Sequence, residues 1–594
     1  MPLLSALRRR KTLGMFAVEA LRDAEHSKDS PQLTLFDLLC IGIGGTVGSG
    51  VFVLTGQVLP VAGPASCVCW IIGGAVCFLS AFSYMEMSTV VPTRGSTYAY
   101  ASYALGEFAA VAGAVSLTLE YGLSGAGVAR SWSSTMQGLI GGNWYSTAYG
   151  ASDYYLDYLA LIIQVVCVLV VAAGASLSTR VINVFTVSKV ALVIFMIIIG
   201  FWAGSEHNFS STPFMEKGGT GITSGTSLLF FGFIGFDEVV CMAARAENPK
   251  KIMPRAIAGT LGGAAVLSFL AQLSLSWVYR LGADDDGDYT DASFQEGFHR
   301  QGLVWAQWIT VIGEVILLPL VVLLSFLPQP EVMAALGEDG LLPSAFAKRM
   351  RFNGADIFGV GTFWTGATLS VIALVVPFSV LWNMINLGVL FGFNITNASL
   401  ISTRVGNGGE LRDPAADRSL VCLACLWLPG AAYILWLGVA LPKISGHQSP
   451  HGKRDSAVCL AFGIALLVQS FKSLIFLKRR CAPPDIADAD RFRAPLVPFL
   501  PGVAIFINFV FMAQYSGIDH AYFFGLYGAA FIAYFLNKDD RARTLPDLTL
   551  AEAGVPGKKT ACVHPAACDC LNCAKGAAIS DALAKAVAVA KVVE

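Results

Sequence analysis

Fourteen apolar runs, separated by short charged or Gly/Pro-rich breaks, constrain this 594-residue chain more than any single motif. They fall at approximately 34–56, 64–86, 104–133, 157–176, 181–203, 222–244, 257–279, 302–327, 362–377, 380–403, 419–441, 455–477, 494–515 and 520–537. Most are near the roughly 20 residues a helix needs to cross a bilayer. In hydrocarbon every backbone N–H and C=O must find a partner within the protein, which leaves helices as the natural solution. The ninth run is short and meets the tenth at Pro377, so the count carries a margin of one or two. Composition agrees: 14% of residues are charged, against about 25% in soluble chains. The expected class is an all-α integral membrane protein with about 14 transmembrane helices and the lipid bilayer as its surroundings. A net charge of -1 supplies no basic excess for phosphates, so no nucleic-acid partner is expected.

Loop charges give the chain an orientation. With the N-terminus in the cytosol, the inner loops hold Arg94, Arg180, the set Arg245, Lys250, Lys251 and Arg255, then Lys348, Arg349 and Arg351. They continue with Arg404, Arg412 and Arg418, and with Lys478, Arg479, Arg480, Arg491 and Arg493. The outer loops hold only Lys217, Arg280, Arg300, Lys443, Lys453 and Arg454, as the positive-inside rule requires. The acidic run at 284–288 and an Asn208-Phe-Ser sequon also fall outside. An even number of spans puts both termini in the cytosol. The N-terminal stretch is basic but has no apolar region leading to a cleavage site, so it reads as a tail. In the tail at the other end, Cys562, Cys568, Cys570 and Cys573 lie near His564 in a spacing that matches no standard zinc pattern. S-acylation or a plain tail is the reading there, and no metal or cofactor is expected.

The first run contains IGIGGTVGSG, residues 41–50, with five glycines, each costing a helix interior roughly 1 kcal/mol relative to alanine. A break in a membrane helix exposes N–H groups suited to a carboxylate and carbonyls suited to an ammonium. Gly48-Ser49-Gly50 is the candidate break, while Gly42, Gly44 and Gly45 suit close helix contact. A second interruption lies in FFGFIGFDEV, residues 230–239, where Gly232 and Gly235 precede Asp237 and Glu238. The two interrupted runs open consecutive five-span groups, an arrangement that points to a transporter site. No residue-level repeat between the groups is evident. A dinucleotide-binding reading of GIGGTV fails, because valine stands at the sixth place and no βαβ unit surrounds it.

These segments resemble the cationic amino acid transporter family of the amino acid–polyamine–organocation (APC) superfamily. LTLFDLLCIGIGGTVGSGVFVLTGQV is similar to that family's first span, VPTRGSTYAY to the loop after the second, and GVARSWS to the end of the third. IGFDEVVCMAARAENPKKIMPRAI resembles the sixth span and its loop, PQPEVMAALGEDGLLPSAFAK the segment after the eighth, and FRAPLVPFLPGVAIFINFVFMAQYS the C-terminal permease module. The resemblance covers about 33–405 and 491–537. It implies a five-plus-five inverted repeat with discontinuous first and sixth spans, working by alternating access. Tail 1–33, ten-helix core 34–405, accessory helices 419–480, C-terminal module 491–537 and tail 538–594 follow as the expected divisions. The resemblance also implies that a substrate carboxylate meets the amides of Ser49 and Gly50. Its ammonium would meet carbonyls of Thr46, Phe231, Gly232 and Ile234, with Phe233 as a gate.

Ionisable groups inside spans are functional candidates by default. Lys189 in the fifth run either snorkels to the interface or, as the resemblance implies, stands where sodium binds in sodium-coupled relatives, holding the first span against the eighth and coupling transport to protons. Glu120 in the third run is a candidate partner for a cationic substrate, for Lys189 or for a proton, with a structural partner for some polar group as the alternative. Glu314 lines a vestibule or faces outward near the end of the eighth run. Glu331 and Asn394 depart from the residues common in the family. The expected function is secondary transport of L-amino acids, cationic ones favoured, with a proton as coupling ion. A neutral amino acid carrier and a non-transporting sensor are the alternatives. No metal or nucleophile–histidine constellation supports an enzyme. The plasma membrane is the favoured location, a vacuolar or other endomembrane the alternative.

Overall fold

The computed structural model describes residues 10–12, 14–16, 32–93, 95–140, 146–148, 155–173, 179–206, 213–279, 293–352, 355–405, 414–444, 450–481 and 491–536. The acidic run at 284–288, Asn208 and the tail cysteines lie outside these residues. The first half comprises α1 Leu35–Ser49, α2 Thr55–Ala62, α3 Ser66–Val90, α4 Ser96–Ala104, α5 Glu107–Leu117, α6 Ser124–Ile140, α7 Tyr158–Ala172, α8 Thr179–Ala203, α9 Gly218–Ser227, α10 Phe236–Cys241 and α11 Pro249–Val278. The second comprises α12 Phe294–Arg300, α13 Val304–Phe326, α14 Pro328–Glu338, α15 Gly359–Val375, α16 Phe378–Val405, α17 Pro414–Cys422, α18 Leu428–Ile444, α19 Pro450–Lys478, α20 Phe499–Met512 and α21 Gly517–Leu536. Two short antiparallel hairpins are the only sheets among the described residues.

Every apolar run carries helix. Seven helical stretches are long and apolar enough to cross a membrane: Leu35–Val90, Thr179–Ala203, Pro249–Val278, Val304–Glu338, Phe378–Val405, Pro414–Ala440 and Ser456–Lys478. The first of these holds two runs, joined by a 3-10 turn at Gly63–Ala65. Tyr158–Ala172 and Gly359–Val375 are shorter apolar helices, and α20 meets α21 at a 120° bend. The third run starts later than its sequence suggests, because Gly106 at φ 114° ends α4 and α5 begins at Glu107. That run continues through a π turn at Thr118–Leu123 into α6.

Packing puts α1 at the centre, against α8, α10, α11 and α13. Polar side chains knit α3, α16 and α20 together: Asn397 donates to Ser80 Oγ (3.1 Å) and accepts from Ser83 Oγ (2.6 Å), while Asn508 donates to Asn394 Oδ1 (2.9 Å). Asn394 is therefore a tie to the C-terminal module. Buried Arg130 donates to the carbonyls of Ala373 (2.8 Å) and Leu374 (2.6 Å), capping the end of α15.

At the end of α3, Glu86 accepts from Arg404 Nη2 (2.9 Å) and from the backbone N–H of Ala494 (2.7 Å), fastening α3, α16 and the C-terminal module at one point. Removing one member of a buried ion pair costs about 3–5 kcal/mol. The Arg404 side chain is 20% exposed, so Glu86→Ala falls at or below about 3 kcal/mol. Thermal unfolding of the detergent-solubilised protein checks this, with Glu86→Gln expected to lose less.

Candidate binding site at two broken helices

The first break is a kink followed by a widened turn. Helical dihedrals are lost at Val47 (φ -82°, ψ 64°), and a π turn spans Gly50–Leu54 before α2. Gly48 and Ser49 remain in α1, one step beyond the kink rather than unwound as the sequence suggests. The reason is that these glycines serve contact, since none from Gly42 to Gly50 has a positive φ. A Cβ on Gly48 would stand 2.7 Å from Val321, and one on Gly50 would stand 2.9 Å from the Gly232 carbonyl oxygen. Gly42 faces Thr260 and Val239, Gly44 faces Thr186, and Gly45 faces Glu238.

The second break is more open. After α9 a 3-10 turn covers Phe230–Phe233, Ile234 is extended (φ -59°, ψ 132°), and Gly235 takes φ 140° before α10. That dihedral requires glycine, and a Cβ there would stand 3.0 Å from the Thr46 nitrogen. The two breaks thus touch twice through backbone, at Gly50 with Gly232 and at Thr46 with Gly235.

Side chains from elsewhere satisfy the backbone that the second break orphans. Asn386 of α16 accepts from the Phe231 N–H (2.6 Å) and donates to the Leu228 carbonyl (3.4 Å). Trp382 Nε1 donates to the same carbonyl (2.9 Å), and the Tyr515 hydroxyl to the Ser227 carbonyl (2.6 Å). Within the break, Ile234 N–H donates to the Phe231 carbonyl (3.2 Å) and Gly235 N–H to Asp237 Oδ1 (3.1 Å). Thr46 turns its hydroxyl onto Gly42 O (2.7 Å). Phe233 lies edge-on to Trp70 of α3, with ring centroids 5.4 Å apart.

Ionisable groups gather at the same place. Lys189 of α8 is fully buried, donates to the Gly44 carbonyl and lies within electrostatic reach of Glu238. Glu120, in the π turn after α5, lies beside Asp237. Oε1 of Glu120 and Oδ2 of Asp237 meet no hydrogen-bond donor among the described residues, while the two carboxyls lie within hydrogen-bond reach of each other. Tyr121 OH and Cys241 Sγ share a hydrogen bond (3.3 Å) just beyond them. Thr46, Gly50, Phe231, Gly232, Phe233, Ile234, Glu120 and Lys189 are all buried, so the site is closed to solvent in this conformation. Glu314 is buried elsewhere, on α13, where Gln295 of α12 donates to it. Sequence reasoning missed Asn386, Trp382 and Tyr515. Asn386 is one of four asparagines in its apolar run, with Asn383, Asn394 and Asn397, so the sequence shows buried amides there without singling it out, and Tyr515 had no signal.

A buried donor or acceptor left without its partner costs about 1–3 kcal/mol. Asn386→Leu is expected to lower stability by that amount, and Gly235→Ala by at least about 1 kcal/mol through its forbidden dihedral. Thermal unfolding of each variant, beside a conservative change at exposed Ile464, measures both.

The chain matches the amino acid permease family over residues 33–451 and the C-terminus of that permease over residues 492–539. Cationic amino acid transporter 4 of Mus musculus is 26% identical over 540 residues, covering 82% of this chain and 83% of the relative. The methylthioribose transporter of Bacillus subtilis (strain 168) is 31% identical over 462 residues, covering 73% and 96%. A branched-chain amino acid permease of the same bacterium is 29% identical over 419 residues, covering 69% and 87%. The relatives are permeases and transporters, not enzymes. With the family match running through both broken helices and the C-terminal module, the chain belongs to the amino acid permease family.

Proposed function

We propose that this protein is a secondary transporter of L-amino acids, favouring cationic ones, that works by alternating access and couples to protons. The observation that carries the reading is the meeting of two broken helices, Gly50 on Gly232, beside a buried cluster of Lys189, Glu238, Asp237 and Glu120. In this reading the first ten of fourteen spans form the five-plus-five inverted repeat. The substrate carboxylate meets the amides of Ser49 and Gly50, and its ammonium meets carbonyls of Thr46, Phe231, Gly232 and Ile234. Phe233 leaves Trp70 to close over the ligand.

Charge bookkeeping supports a cation. Three buried carboxyls face one buried ammonium, and uncompensated buried charge is strongly unfavourable. Protons or a cationic side chain complete the site, and the two orphan oxygens of Glu120 and Asp237 offer such a side chain its acceptors. Lys189 is the coupling group: its ammonium joins α8 to the Gly44 carbonyl at the first break, and loss of its proton releases that link. The loop charges support an orientation with both termini in the cytosol, and the plasma membrane is the favoured location. The branched-chain relative supports a second reading, a neutral amino acid carrier in which Glu120 holds a proton.

Uptake of labelled arginine, lysine and alanine into proteoliposomes, with and without an inward proton gradient, tests this. The gradient should stimulate uptake in the wild type and not in Lys189→Ala. Glu120→Gln should reduce arginine and lysine uptake about tenfold, equivalent to roughly 1.4 kcal/mol, while sparing alanine. Equal loss for alanine assigns Glu120 to a structural or proton-handling role, gradient-independent uptake removes the coupling, and no uptake under any condition favours a sensor.

A further inference from the structure

Residues 10–12 and 14–16 are fastened to three helices by contacts that the transport reading does not use. The Lys11 N–H donates to the Ser102 carbonyl of α4 (3.0 Å), and Lys11 Nζ pairs with Asp339 Oδ1 at 2.5 Å. Asp339 caps α14, and its other oxygen accepts from the Tyr98 hydroxyl of α4. One carboxylate is therefore gripped by the N-terminal segment and by α4 together. The Lys11 ammonium also lies 5.3 Å over the Phe16 ring, and Phe16 is buried in the main core. Arg10 reaches Asp417 of α17 at 3.5 Å. The Lys11 and Asp339 side chains are 14% and 12% exposed. Such a pair is screened by salt far less than a surface pair.

The two helices joined here adjoin the two sides of the candidate site. α4 packs on α10, which carries Asp237 and Glu238. α14 packs on the π turn that carries Glu120, and its Gln329 donates to Thr118 Oγ1 of that turn (3.1 Å). We propose that residues 10–12 and 14–16 form a strap, with Lys11–Asp339 as its clasp, that holds α4 against α14 and keeps the site closed toward this face. The proposal goes beyond the transport reading and rests on it only in calling this face cytosolic and the closure a gate. Phe16 and the Lys11 backbone bond keep the segment in register, while the ion pair decides whether α4 and α14 separate. Opening toward this face requires the clasp to break.

Hydrogen–deuterium exchange of the full chain in lipid nanodiscs tests the strap without any need for a substrate. Lys11→Ala should speed amide exchange in residues 96–104 and 328–338 by roughly two- to tenfold, the lower part of the range for coupled contacts. Residues 428–444 and 450–478 should exchange as in the wild type. The charge-swapped double variant, Lys11→Asp with Asp339→Lys, should return the two segments toward wild-type rates. Unchanged exchange in Lys11→Ala, a uniform rise across the chain, or no recovery in the double variant each overturns the proposal. Because this readout does not involve transport, a strap that responds in a protein showing no uptake separates the failure of the transport reading from failure of the strap.

Discussion

A backbone that leaves the helix inside hydrocarbon must find partners from other parts of the chain, and the architecture of this protein turns on that requirement. Asn386 meets it by standing in for a peptide unit, accepting from the Phe231 N–H and donating to the Leu228 carbonyl. Trp382 donates to the same Leu228 carbonyl, and Tyr515 takes the neighbouring Ser227 carbonyl. The second broken helix therefore leans on α16 and on Tyr515, just after α20. This makes the C-terminal module part of the site's support, an attachment reinforced by the Asn508–Asn394 bond and by Glu86 on the Ala494 N–H. Where the two breaks meet, backbone touches backbone, and glycine is the residue that permits it.

The buried charges build on this frame. Lys189 comes from α8, its acceptor Gly44 from α1 and its countercharge Glu238 from α10. One ammonium therefore links three helices, and in the proposed mechanism its protonation state and the position of the first break are one variable. Glu120 and Asp237 form a separate pair, with the orphan oxygens on their side. In the proposed mechanism this division puts coupling on one side of the junction and cargo recognition on the other.

Much of this was legible in the sequence because lipid leaves the chain few choices. The apolar runs marked the helices, and Lys189, Glu120 and Glu314 stood out as ionisable residues in apolar surroundings. The glycines marked both breaks, but their spacing does not tell contact from conformation. Val47 carries the first kink while Gly48 and Gly50 make room for Val321 and Gly232, whereas Gly235 alone among the glycines at the two breaks needs its positive φ. The partners were less accessible. Tyr515 and the Ser227 carbonyl are 288 positions apart, and a backbone acceptor such as Gly44 O has no sequence signature at all. Glu314 was visible as a charge, but nothing in its own run points to Gln295.

Under the proposed function, cargo choice follows from what the breaks leave unspecified. Backbone amides and carbonyls recognise a carboxylate and an ammonium alike in any amino acid, so selection among them falls to side chains. Phe231, Phe233 and Ile234 at the second break are apolar and do not discriminate by charge. Glu120 and Asp237 do, since each contributes a buried oxygen that meets no donor among the described residues. A guanidinium or ammonium side chain would supply donors to both, while a neutral side chain would leave them to be completed by protons. In the proposed mechanism, the choice between a cationic amino acid and a neutral one carried with a proton reduces to which positive group completes this one pair of carboxyls.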